Sequence, residues 1–550
     1  MSNSRLNRTA AGQTAIKLLI ICFTAFAAGR AMAVDWASLI QPRGTVVTVR
    51  TAADANAILS LPNPPYDNAT DVAEIRTDRQ EQFVRLYNPS AGSNQIGSWI
   101  VRARFVRGLT PEEIRDKLAL PAVPTHITNV VVPAGENGGA PTGTVIWTGI
   151  AAPVAGWGSG GGQQSQLRGT WIPSGSYRNG QLLGAQALVY TPSAGKGSAG
   201  RVAVYLDAAI PQAYSDLEDV YIALDFLNYG DKGPLQAALT GISPLVLESL
   251  TDVATRGAWR MNKAIRDRAL GDGTRKTAVW ADGARESLSR EDSGEHAGYS
   301  AKTDAVYAGA ELRQSPEASA GICAGSSRSR VDWLSGNGSA SRDSRRLGFY
   351  WERRGRALRL LGSLGAGWAQ ARVDRGISFS GADRIAHSDQ YDHDLSGQLQ
   401  AEYTLNVSGW DVRPAAGLEY TYLVIGDFTE SGAGRLNLSV KKRMPLTFRG
   451  SLGLGLSKAL PAGAGWTMRP GLRFGWANEA PLDDRAITAV MSGRPDGFSV
   501  DGRKGPVDSF WLGFGMSVSK GAFLAYVRCE GELGRGFNAN AAKAGVTLRF

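Results

Sequence analysis

From about Thr274 onward, apolar and polar side chains alternate in stretch after stretch. "AAKAGVTLRF" puts Ala542, Ala544, Val546, Leu548 and Phe550 on one side and Lys543, Gly545, Thr547 and Arg549 on the other. "WTMRPGLRFGWA" sets Trp466, Met468, Leu472, Phe474 and Trp476 against Thr467, Arg469, Gly471, Arg473 and Gly475. "FWLGFGMSV" does the same around Phe510, Leu512, Phe514, Met516 and Val518. A period of two is that of a strand with one face in an apolar medium. A soluble β-sandwich also alternates, but its outward face is densely charged. Here the polar face mixes Gly and Ser with isolated Arg and Glu, and Trp410, Trp466 and Trp476 fall near strand ends. Lipid outside, a polar lumen inside and aromatic girdles at the interfaces give this pattern. Only a closed barrel satisfies every backbone polar group in lipid by strand pairing. About twelve strands fit into residues 273–550, and the last is expected to pair with the first.

Upstream the period changes. "RVAVYLDAAI", "DLEDVYIALDFL" and the segment from Gly233 to Gly273 read as helices, within a linker over residues 201–272. In the third, Leu235, Leu239, Ile242, Val246, Leu250, Val253, Gly257, Met261 and Ile265 recur at intervals of three and four. Ser243-Pro244 supplies a cap and a first-turn proline, and Gly271 a stop. A helix from Leu245 to Leu270 would be about 39 Å long at 1.5 Å per residue, enough to thread a bilayer-high pore. Its Arg256, Arg260, Lys263, Arg266 and Arg268 would meet Glu419, Glu530 and Glu532 on the inferred lumen wall. An amphipathic helix packing on a globular neighbour is the other reading of the same pattern. Arg413, Arg449, Arg469, Arg473 and Arg528 also fall on lumen positions, where an open pore would favour anions.

The first 33 residues carry Arg5, Arg8 and Lys17, then the apolar run "LLIICFTAFAA", then "AMA". That order is a secretory signal peptide, too short to span a bilayer as a helix. Its removal takes the net charge from +10 to about +6, a weak basic excess without a dense Lys/Arg run, so no nucleic-acid partner is expected. Only Cys323 and Cys529 then remain, too few for a disulfide framework. Glycine, 68 of 550 residues, is nearly twice as common as usual and concentrates in the strand-rich half.

Four stretches of that half resemble the autotransporter β-domain: "FTESGAGRLNLSV" (Phe428 to Val440), "GFSVDG" (Gly497 to Gly502), "EGELGRGF" (Glu530 to Phe537) and the closing "AGVTLRF". The resemblance covers about half the chain. It implies a monomeric twelve-stranded translocator in the outer membrane of a Gram-negative bacterium, assembled with periplasmic chaperones and the barrel assembly machinery. An upstream passenger would reach the cell surface through it. It also implies that Phe550, with Leu548 and Val546, is the signal for barrel insertion, and that the last linker helix plugs the pore. The whole fold expected is thus mainly β: a small α+β passenger, a helical linker with a pore helix, and the transmembrane barrel.

The passenger, residues 34–200, is long enough for one domain with a modest core. No 20–30-residue period marks a solenoid, and neither HExxH nor GxSxG is present. Ser159 has Trp157 where a nucleophile elbow needs Gly, and His126 reads as a turn or edge-strand residue. No metal site and no bound cofactor are expected. One constellation stands out. "VVVPAG" leads toward "TGIAAPVAGWGSGGGQQSQL", whose glycines Gly160, Gly161 and Gly162 allow close backbone approach to a ligand and whose Gln163 and Gln164 offer amides. A flexible linker or a tight turn is the plain reading. The arrangement resembles the tuberculosis necrotizing toxin family of NAD glycohydrolases around its GGGxQ loop. That resemblance implies Gln164 as a catalytic residue and an upstream Arg, Arg85 or else Arg102 or Arg104, for the pyrophosphate of NAD. Three readings follow: a binding or interaction passenger on a translocator, an NAD-cleaving passenger, or a structural cap over a pore. The pore helix disfavours the third.

Overall fold

The computed structural model describes residues 44–550, except 78–79, 135–144, 170–171, 229–230, 269–276 and positions 295, 314, 316, 337 and 484. The expected signal peptide lies outside the described residues. The chain divides into two compact units between Ala187 and Leu188. The sequence reading places the end of the passenger at residue 200; the packing division falls earlier, and the helix Gly197–Asp207 belongs with the second unit.

The first unit is built on two antiparallel sheets. One runs in the order Gly44–Thr51, Asp71–Thr77, Val145–Ile150, Gln163–Arg168 and Trp99–Ile100; the other is Glu81–Tyr87, His126–Val132 and Tyr177–Leu182. Ile100, Ile146 and Leu167 from the first sheet share a core with Phe83, Val130, Val132 and Tyr177 from the second. The helix Pro111–Leu118 begins as its sequence dictates. Thr110 Oγ1 accepts from the Glu113 amide at 3.2 Å while Glu113 accepts from the Thr110 amide at 2.8 Å, a reciprocal capping box.

The second unit is a closed barrel of twelve long strands with helices at one end and inside. The strands pair each with the next in sequence, from Thr277–Arg290 to Phe537–Arg549, and the last pairs with the first from Phe537↔Arg290 to Arg549↔Ala278. Phe550 extends that seam, its amide donating to the Thr277 carbonyl at 2.8 Å. The alternation holds face by face. Leu364, Leu399 and Phe514 point outward and are 63 %, 58 % and 63 % exposed, while Arg342, Arg346 and Glu352 point inward and are buried. Val546, Leu548 and Phe550 belong to the outward apolar face.

At one end the strand connections are short. At the other, two long connections, 426–445 and 482–506, fold into a four-stranded sheet of Phe428–Thr429, Leu438–Val440, Ile487–Met491 and Phe498–Val500. Long loops mark the outer face of such a barrel. The helices Gly197–Asp207, Asp216–Leu227 and Gly233–Ile242 share one hydrophobic core with this sheet. Arg375, fully buried, ties them together: it meets Glu430 at 2.6 Å and donates to the carbonyls of Gly241, Ile242 and Leu436.

Candidate functional site

The lumen is occupied by a helix. After Ser243, whose hydroxyl accepts from the Leu245 amide at 3.2 Å, the chain makes a 3-10 turn, Pro244–Leu247, and then the helix Glu248–Asp267. Twenty residues give about 30 Å, close to the hydrocarbon thickness of a bilayer. The helix starts three residues later than the sequence suggests, because the proline turn is wound more tightly; Leu270 and Gly271 lie outside the described residues. Buried residues occur all round it, so it is enclosed by the wall rather than laid on a neighbour.

Its two faces meet two kinds of wall. Met261, Ala264 and Ile265 pack on Trp280, Tyr307, Cys323, Tyr350 and Leu361. Glycines open the space: a Cβ at Gly365 would stand 2.3 Å from the Met261 methyl carbon, and one at Gly348 3.1 Å. The other face is ionic. Arg256 donates twice to Glu532 at 3.0 Å, and Arg449 of the wall donates to the other oxygen of Glu532 at 2.9 Å and to Glu419 at 3.1 Å. Asn262 donates to Glu419 at 3.1 Å, Lys263 pairs with Glu530, and Arg260 reaches Glu286 at 2.7 Å. Arg268 lies between Glu311 at 2.7 Å and Glu352 at 3.4 Å. Helix carboxylates complete the pattern in the reverse sense. Asp252 meets Arg485 at 2.8 Å and the Tyr299 hydroxyl at 2.9 Å, and Asp267 gathers Arg473, Arg528 and Lys543. The lumen arginines are therefore paired: Arg413 and Arg469 with Asp411, Arg449 with two glutamates, Arg473 and Arg528 with Asp267. A cavity of about 60 Å³ lies beside the helix at Lys263 and Arg266, and a second of about 50 Å³ lies along the wall; both are lined by Arg413, Arg473 and Glu530. Each has room for several water molecules. The sequence reading found Glu419, Glu530 and Glu532; it missed Glu286, Glu311, Glu352, Asp252 and Asp267, although the inward positions of the alternation carry the first three.

In the first unit, the glycine loop closes on protein. The amides of Gly160 and Gly162 donate to the carbonyls of Asp116 and Lys117 at 3.0 and 2.8 Å, and that of Gly161 to Ala151 at 2.9 Å. The Asp116 carboxylate accepts from the Ser159 amide at 3.0 Å and hydroxyl at 2.6 Å. These hydrogen bonds hold the Asp116 carboxyl below its ordinary pKa. A Cβ at Gly158 or Gly162 would stand 2.3 or 2.6 Å from a carbonyl of the helix 111–118, and Gly160 has a positive φ of 69°. The glycines thus let the loop cap the last turn of that helix and satisfy its free carbonyls. Gln164 lies on the strand that follows and donates to the Pro65 carbonyl at 2.7 Å. Arg85 lies on the other sheet, its guanidinium donating to the carbonyls of Asn94 and Trp99, each at 2.9 Å. Burial lowers its pKa. Arg102 pairs with Glu81 at 2.6 Å. His126 opens the middle strand of the three-stranded sheet and stacks on Tyr87 at 5.1 Å. Among the described residues, no group of three His, Cys, Asp or Glu is placed to hold a metal.

Residues 279–524 match the family model described as autotransporter beta-domain. No curated protein matches the sequence. Among solved structures, the translocator domain of the autotransporter NalP from Neisseria meningitidis is 20 % identical, with a TM-score of 0.45, covering 56 % of this chain and 99 % of that one. The β-domain of the Bordetella autotransporter BrkA is 16 % identical, with a TM-score of 0.39, covering 50 % and 100 %. The transport unit of AIDA-I from Escherichia coli is 12 % identical, with a TM-score of 0.33, covering 54 % and 98 %.

Proposed function

The chain carries an autotransporter β-domain and is a self-translocating outer-membrane protein of a Gram-negative bacterium, and from that premise we propose that its first unit is an interaction module displayed at the cell surface. The observation that supports this reading is an open sheet edge. Gly44–Thr51 pairs on one side with Asp71–Thr77 and, among the described residues, on the other with nothing, while Val47 and Val49 are 47 % and 52 % exposed. An exposed apolar edge strand is a template for adding a strand from a partner. The barrel is assembled as a monomer, with periplasmic chaperones and the barrel assembly machinery as partners, and its outward Val546, Leu548 and Phe550 are the assembly signal.

The alternative, cleavage of NAD, needs Gln164 and an arginine free to hold substrate; in this fold Gln164 and Arg85 each donate to backbone carbonyls. The test uses cells displaying the full chain. Their binding to host cells and matrix proteins is scored with and without Val47→Lys and Val49→Lys, and nicotinamide release from NAD is followed in parallel. Binding lost in the lysine variants supports the interaction module. Nicotinamide release abolished by Gln164→Ala would replace it with the enzyme.

A further inference from the structure

The cations around the last turns of the pore helix are paired, but not one for one. Asp411 takes both Arg413 and Arg469, at 3.6 and 2.6 Å. Asp267 takes Arg473 at 2.8 Å together with Arg528 and Lys543. Arg266, the helix residue before Asp267, forms no ion pair among the described residues; it donates to the Gln400 side-chain oxygen at 3.4 Å. The carboxylates that attract it, Glu419 and Glu530, are already held by Arg449 and Lys263. The wall around it offers no recovery. Arg268, Arg354 and Arg359 are matched by Glu311, Glu352 and Glu402. Asp282, which accepts from the Tyr526 hydroxyl, adds one carboxylate beside Arg528. Arg266, Arg413, Arg469, Arg473, Arg528 and Lys543 therefore face Asp267, Asp282 and Asp411, six charges against three.

These side chains converge. Arg473 repels Arg266, Arg413 and Arg528, and Arg266 repels Lys543. Arg266, Arg413 and Arg473 line the cavity of about 60 Å³ beside the helix, and the second cavity adds Arg469 and Arg528 to the two arginines it shares. Guanidinium groups crowded in an enclosed lumen repel strongly unless an anion lies among them. A space for several waters admits one tetrahedral oxyanion. The planar guanidinium fork matches the oxygens of such an ion two at a time. Ser457 lines the second cavity next to the short connection 458–466, so solutes on the periplasmic side are the source.

We propose that the cavity beside the helix binds an oxyanion of the phosphate class, held by Arg266 of the helix and by Arg413 and Arg473 of the wall. The ion bridges helix and wall and completes the charge pairing that seats the last turns of the helix. Chloride brings a single charge and no oxygens for the guanidinium forks, so it is the weaker occupant. The inference rests on the barrel and its enclosed helix, and is independent of what the first unit does.

The experiment uses the full chain in non-ionic detergent, with sodium phosphate, sulfate and chloride as probes at equal ionic strength. Titration calorimetry reads binding, and heat-modifiable migration reads the folded barrel. Expected is saturable binding of one phosphate per chain in the submillimolar range, competition by sulfate, and chloride weaker by about tenfold or more. Phosphate should also raise the temperature of heat-modifiable unfolding above that in chloride. Arg266→Gln and Arg413→Gln should each weaken phosphate binding about tenfold, while Arg285→Gln on the outer wall leaves it unchanged. Where a glutamine variant does not fold, Arg266→Lys keeps the charge, loses the fork and should still bind more weakly. The absence of saturable phosphate binding by the unaltered protein would overturn the proposal without any variant. So would chloride binding as tightly as phosphate, or unchanged phosphate binding in a folded Arg266 variant.

Discussion

Consider Glu532→Ala. In the intact lumen this carboxylate accepts from Arg256 of the helix at 3.0 Å and from Arg449 of the wall at 2.9 Å, with Ser509 adding a hydrogen bond at 2.9 Å. At an effective dielectric constant of about 20 each ion pair is worth roughly 5–6 kcal/mol of Coulomb energy, most of it offset by desolvation. Removing the carboxylate leaves two buried guanidinium groups facing each other, and such a loss costs about 3–5 kcal/mol. Arg449 keeps Glu419 at 3.1 Å, which places the estimate at the lower end. A seating equilibrium weakened by about 3 kcal/mol shifts roughly 100-fold, since 1.4 kcal/mol is tenfold. The assay is conductance of single barrels in planar bilayers. Openings should become about 100 times more frequent. The double variant Arg256→Met/Glu532→Leu, which replaces the pair by apolar groups, should return to within about 1 kcal/mol of the unaltered protein. A quiet Glu532→Ala channel would show that this contact does not seat the helix, and a double variant no tighter than the single one would show that the buried charge is not what loosens it.

Three further outcomes are expected. Gly365→Val places carbon where the Met261 methyl group sits and should cost about 1–3 kcal/mol, read as a lower temperature of heat-modifiable unfolding; pairing it with Met261→Ala should restore part of the loss. The Asp116 carboxyl, held low by Ser159, contributes stability above its ordinary pKa of 3.8 and loses it as pH falls through the lower folded value. Pepsin cleavage within 154–162 should therefore rise below pH 3.8 in the unaltered chain, and Ser159→Ala should flatten that dependence. Gln164→Ala removes the bond to the Pro65 carbonyl and should lower the stability of the first unit by about 0.5–1.5 kcal/mol in urea titrations, the figure for one half-buried hydrogen bond.

The barrel was legible because alternation is a local property: once a strand is recognised, every second residue is assigned a face. Glu530 and Glu532 follow from Val527 and Leu533 facing lipid. Around Glu286 the same rule is masked, since its outward neighbour Arg285 is charged as well and the contrast disappears. The glycine run shows the opposite case. Its spacing announces a close approach, but what it approaches, the end of the helix 111–118, lies about 40 residues upstream and leaves no local trace. Likewise the side chain of Arg85 reads as available chemistry until the loop of residues 93–99 folds over it.

A twelve-stranded cylinder left empty would be a leak in an envelope whose worth to the cell lies in excluding small toxic solutes. Here the helix Glu248–Asp267 occupies the lumen, and basic and acidic groups that could have drawn ions through are engaged with one another. The bacterium can therefore hold many copies of this protein in its envelope without raising its permeability. Detergents and bulky antibiotics should find no extra way in until the Glu532 contact is cut.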